Sequence, residues 1–117
     1  MQTGYVEITG DNCFEEVNAC IKQECNIGYE KELTGGILYC LEEEKFLSAA
    51  RFMVVITIEK VDSGTDNCAV EIIVGGGKFD LFSINSGMER NYIRKINNRL
   101  VDFCNSLGFE ISIPEEQ

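Results

Sequence analysis

The chain contains no histidine. Ser-His-Asp and Cys-His catalytic sites are therefore excluded. No C-x-x-C pair occurs, so a zinc site would need four thiolates drawn from scattered cysteines. No apolar run approaches the roughly 20 residues of a membrane span. Residues 1–7 lack the basic-then-apolar order of a signal peptide, so a cytoplasmic location is expected. Basic residues are scarce: Lys and Arg number 10 against 20 Asp and Glu, for a net charge of −10. Nucleic acid is thus not the expected partner, because polyanion binding is driven by Lys and Arg displacing counterions. The charge favours solubility.

What is present describes one globular domain. At 117 residues the chain can bury roughly two thirds of its unfolded surface, so it needs no disulfide, metal or cofactor to fold. Hydrophobic residues make up 44% and charged ones 26%, which separates it from a disordered chain. The six cysteines lack a secretory context and read as buried thiols, small hydrophobes in a reducing cytosol. Cys13 alone sits at a helix start, where a thiol can be activated.

The strongest element is a helix beginning near Ser86. Met88, Tyr92, Ile93, Ile96, Leu100, Phe103, Cys104 and Leu107 recur at spacings of three and four. Ser86 and Glu89 have capping-box spacing, and Gly108 can end the helix in the left-handed conformation. Its other face carries Arg90, Arg94, Lys95 and Arg99, four of the ten basic residues. A second helix is expected over 13–25, with Asn12 as its cap and Phe14, Val17, Cys20, Ile21 and Cys25 on its apolar side.

Strands are expected at 5–9, 37–41, 51–61, 68–74 and 79–84. Residues 29–33 read as a brief extended piece, residues 41–50 as a strand continuation or a short helix, and residues 109–113 as a short last strand that Pro114 stops. The three glycines at 75–77 are expected to turn between strands. The result is an α+β domain spanning 1–117, an antiparallel sheet in β-α-β(4)-α order with both helices on one face. This element order resembles the helix-grip group, including TATA-binding-protein-like and Bet v 1-like folds. Those folds host several activities, so the resemblance implies no single function.

A narrower resemblance covers residues 50–108. Gly75-Gly76-Gly77, then Phe82, then Ser86-Gly87-x-Glu89 opening a helix with Tyr92, Ile93 and Leu100 is similar to a family of short uncharacterised proteins of clostridia and their relatives. It implies a bacterial, cytoplasmic protein and no particular activity.

Candidate chemistry is sparse. Lys78 after the glycines lacks the hydroxyl neighbour and following helix of a phosphate loop. Asp62, Asp66 and Asn67 around Gly64 miss the spacing of a calcium-binding loop. The informative feature is on strand 51–61. Met53 and Val55 share the face of Thr57 and Glu59, and the next strand is expected to add Ala69 and Ile73 around Glu71, which makes that face too apolar for a solvated sheet face. With the basic residues Arg90, Arg94, Lys95 and Arg99, these positions suggest a non-enzymatic domain that self-associates as a homodimer or docks a protein partner. The alternative is a carrier or sensor of a small apolar ligand between the long helix and the sheet, lined by Phe52, Ile56, Tyr92 and Phe103. A thiol-based role for Cys13 is the third reading.

Overall fold

The structure, a computed structural model, describes residues 2–45, 50–61, 64–76 and 86–114, and places side chains there except at 43–45, 50–52, 76 and 86–88. The elements run β1 (Gln2–Thr9), α1 (Cys13–Glu24), β2 (Tyr29–Leu33), β3 (Gly36–Lys45), β4 (Ala50–Lys60), β5 (Cys68–Gly76), α2 (Ser86–Leu107) and β6 (Glu110–Ser112). The strands form one antiparallel sheet in the order β2-β3-β4-β5-β1-β6. The expected α+β architecture is the one observed.

Side chains alternate along each strand, so register decides which residues meet. Leu41 pairs with Val54 and Val54 with Val74; Tyr39 pairs with Ile56 and Ile56 with Ile72. Ile37 pairs with Ile58, Ile58 with Val70, and Val70 with Val6. Each of these residues is at most 6% exposed. They form one continuous apolar face, and both helices cover it.

On α1, Cys13, Val17, Cys20 and Ile21 point into the core over β4. On α2, Tyr92, Ile93, Ile96, Leu100 and Cys104 are buried over β1 and β5. From Tyr92 to Cys104 the α2 face matches its sequence periodicity, Leu107 in the last turn is 45% exposed, and the Met88 side chain lies outside the described ones. Complete burial of a side chain such as Leu100 stabilises the fold by roughly 1.5–3 kcal/mol. Gly4 lets α2 approach β1: a Cβ there would stand 2.6 Å from Ile93 Cγ2. Gly108 adopts φ 76° and ends α2 as its position suggests. Among the described residues no helix is long and apolar enough to cross a membrane.

Two local expectations change, at Asn12 and at the glycines, and two are made definite, at residues 29–33 and 41–45. Asn12 precedes α1 at φ 60° and makes no side-chain capping hydrogen bond; the helix start is held instead by the Phe14 amide donating to the Asp66 carbonyl at 3.1 Å. Residues 29–33 are a complete edge strand. Residues 41–45 continue β3, since the hairpin with β4 stays paired out to Lys45 and Ala50; residues 46–49 lie outside the described residues. Gly75 and Gly76 do not turn, because they pair with Met53 and Phe52 and so extend β5. The expected strand 79–84 lies outside the described residues.

The contact at Gly4 yields a stability test. Gly4→Ala is expected to cost about 1–3 kcal/mol, because the new methyl overpacks a stiff β-branched neighbour in the core. Gly75→Ala, with no atom within 4 Å of the added Cβ, should stay within about 0.5 kcal/mol of the parent. Urea unfolding midpoints of the two variants compare them directly.

Candidate functional site

The alternate residues of the strands make the opposite face of the sheet. No described helix packs on it. Its centre is the row Cys40–Val55–Ile73, flanked by Leu38 on β3 and Met53 on β4. Leu38, Cys40, Val55 and Ile73 are each partly exposed, and Met53 is 44% exposed. The Cys40 thiol lies 3.4 Å from Met53 Sδ, packing the two sulfurs side by side. Tyr29 stands opposite Cys40 at the β2 edge, 57% exposed. Thus Met53, Val55 and Ile73, read as one face from the sequence, do share one face.

The rim of this strip is acidic. Glu42 is opposite Met53, Glu71 opposite Thr57, and Glu59 and Glu7 lie on either side of Ala69. All four carboxylates are exposed. Lys31 on β2 is the one basic residue on this face among the described side chains. Tyr5 reports the resulting field. Its hydroxyl donates to Glu7 Oε2 at 3.1 Å. Partial burial, then that hydrogen bond, then the charges of Glu7, Glu71 and Glu59 push its phenol above the ordinary 10. A negative potential around an apolar strip favours a surface carrying Lys or Arg around its own apolar centre.

The basic residues of α2 are divided. Arg90 donates to Gln2 Oε1 at 3.1 Å, holding α2 to β1. Arg99 pairs with Glu24 of α1 at 3.3 Å, joining the two helices. Arg94 donates to Asn91 one turn back, and Lys95 is exposed. Two of the four therefore make contacts between elements of the domain itself, and they do not lie on the apolar sheet face.

Of the candidate ligand-lining residues, Ile56 and Tyr92 belong to the core and Phe103 packs against it. Ile56 is 0% exposed between Tyr39 and Ile72, and Tyr92 is 8% exposed. Phe103 packs partly buried against the core, about 16 Å from Tyr92 along the helix axis at 1.5 Å per residue. The backbone of Phe52 pairs with Gly76, and its side chain lies outside the described ones. The hydroxyl of buried Tyr39 donates to Asn18 Oδ1, fastening α1 to the sheet.

Two features escaped the sequence. Leu38, Cys40 and Glu42 belong to the apolar strip and its rim; the signal was the unbroken apolar run at 37–41, whose two faces could not be assigned without a register. The other is an open, polar cleft of about 350 Å³ lined by Thr9, Gly10, Asp11, Gly64, Thr65, Asp66 and Asn67. It joins two loops far apart in sequence. Among the described residues no group of three or more Cys, Asp or Glu is arranged to hold a metal ion. Compared with known proteins, the chain matches no family model and no curated protein.

The electrostatic description of the open face is checked by titrating Tyr5. Glu71→Gln removes a negative charge that disfavours the phenolate, so the Tyr5 pKa should fall back toward 10. Tyr5→Phe identifies its share of the ultraviolet titration. An unchanged midpoint would mean that Glu71 does not act on this face.

Proposed function

We propose that this domain is a non-enzymatic binding module of a reducing cytosol. It docks a protein partner on the uncovered sheet face, and that partner presents an apolar centre bordered by Lys or Arg. The observation that carries the reading is the strip Leu38, Cys40, Met53, Val55 and Ile73 on a face that also carries exposed Glu7, Glu42, Glu59 and Glu71, against Lys31 beside Leu38 as the one described cation there. Apolar side chains supply the area and the carboxylates select the partner's charge. A second copy applied through the same face would bring four carboxylates against four, which costs rather than stabilises. Charge complementarity therefore favours a partner other than a face-to-face copy. The apolar-ligand reading rests on Phe52, Ile56, Tyr92 and Phe103; the last three already pack against protein atoms, so the docking reading is preferred.

The test uses the full chain, labelled with ¹⁵N, and a synthetic amphipathic helical peptide with a Leu/Phe face bordered by lysines. Shifts should concentrate at Leu38, Met53, Val55 and Ile73. Val55→Asp should weaken binding at least about tenfold, or 1.4 kcal/mol. Raising salt should weaken it too, because the rim charges are exposed. Equal binding of a glutamate-bordered peptide would overturn the reading. So would a native dimer in sedimentation that Val55→Asp dissociates, which would place a second copy on this face instead.

A further inference from the structure

The polar cleft and two of the thiols form a second feature, independent of the sheet face. Cys13 is the first residue of α1 and Cys68 the first residue of β5. Their sulfurs lie 3.3 Å apart, and both residues are 0% exposed. Cys13 Sγ also donates to the Ile8 carbonyl at 3.4 Å. That leaves the Cys68 thiol to donate to Cys13. The two segments lining the cleft, residues 9–11 and 64–67, lead directly into these cysteines.

The geometry points to Cys13 and Cys68 as a dithiol that a peroxide entering from this cleft oxidises to an intramolecular disulfide. The sulfurs need to close by about 1.3 Å to reach bonding distance. Cys13 is the attacking sulfur. It receives the Cys68 S–H, which holds its own thiol below the usual range against the opposing effect of burial, and it begins a helix, where a thiolate is favoured. Cys68 is pushed up by donating that hydrogen bond and by burial, so it is the resolving partner. Burial pushes Cys20 and Cys104 up to about 11, keeping them protonated.

The chemistry balances. The Cys13 thiolate attacks one peroxide oxygen, the O–O bond breaks, and the departing hydroxide takes up the proton Cys13 released. Cys13 is then a sulfenic acid. The Cys68 sulfur attacks it, the S–O bond breaks, and the second hydroxide leaves as water with the Cys68 proton. Two thiols lose two electrons and one hydrogen peroxide becomes two waters.

Access is a local event. Among the described residues, the Gly10 amide donates to Asn67 Oδ1 at 3.2 Å and the Phe14 amide to the Asp66 carbonyl at 3.1 Å across the cleft, while the Val61 amide donates to the Asn67 carbonyl at 3.0 Å and an exposed Lys60–Asp66 pair stands at 3.8 Å on the 64–67 side. Such a region opens without global unfolding. The new bond would tie the start of α1 to the sheet across 55 residues of chain, and reduction would release it.

The experiment treats the reduced, folded full chain with hydrogen peroxide and reads intact mass and non-reducing peptide maps. The expected result is a loss of two hydrogens, a Cys13–Cys68 linked peptide, a melting temperature raised by several degrees, and reversal by dithiothreitol. Cys68→Ala should leave the sulfenic acid stranded, so dimedone labels Cys13 at least tenfold faster than Cys104. Cys13→Ala should abolish both products. Circular dichroism verifies that the variants are folded, and the map of the unmutated chain stands without them. First oxidation at Cys40, a linkage other than Cys13–Cys68, or formation of the disulfide only under denaturant would each overturn the inference.

Discussion

Strand alternation on β4 and β5 is the constraint on which the rest of this domain depends. Val54, Ile56 and Ile58 must face the same way, and so must Val70, Ile72 and Val74. The antiparallel register sets each of these six against a member of the other group. A one-residue slip would turn either set toward Glu71 and Thr57, so the register is strongly specified. Once the face is formed it has to be covered. Both helices have a single apolar stripe, and they pack over the same side. Gly4 and the small side chains Cys13, Cys68 and Cys104 sit where helices and strands approach closely. The cysteines therefore serve as compact core residues before any chemistry is asked of them.

The same alternation produces the functional candidate. Every residue placed inward on β3, β4 and β5 fixes its neighbours outward. Thr57, Glu59 and Glu71 are what a solvated face requires. Cys40, Met53, Val55 and Ile73 are not, and they fall in adjacent rows because the register aligns them. The carboxylates around them give the strip a sign. Net charge alone spoke only of solubility; its distribution makes one apolar surface selective for basic neighbours. The positive residues of α2, by contrast, are drawn partly into the domain through Gln2 and Glu24. A basic stripe in sequence is thus divided in space between exposed charge and contacts that hold elements together.

Much of the fold is legible in the order of the residues. The 3.6-residue recurrence from Tyr92 to Cys104 locates α2, and Gly108 marks its end. The two-residue alternation of 51–61 locates β4 and divides its two faces correctly. Local rules fail where tertiary pairing overrides them. Gly75 and Gly76 have the composition of a turn, yet β4 continues alongside them and supplies hydrogen-bond partners. Asn12 is a favoured capping residue, yet the helix start draws its bond from the Asp66 carbonyl, on a loop more than 50 positions away. Residues 29–33 read locally only as an extended piece, and pairing with β3 makes them an edge strand.

The sequence by itself determined the class of the protein: an acidic α+β domain without histidine, with two one-sided helices and a sheet whose central strands are apolar on both faces. Those properties follow from residue type and short-range periodicity. The tertiary structure alone decided which face the helices cover, which carboxylates share the open face with the remaining apolar strip, and that Cys13 and Cys68 touch. Each of these depends on contacts between residues distant along the chain, and cross-strand register and loop-to-loop packing leave no periodic trace in a single sequence.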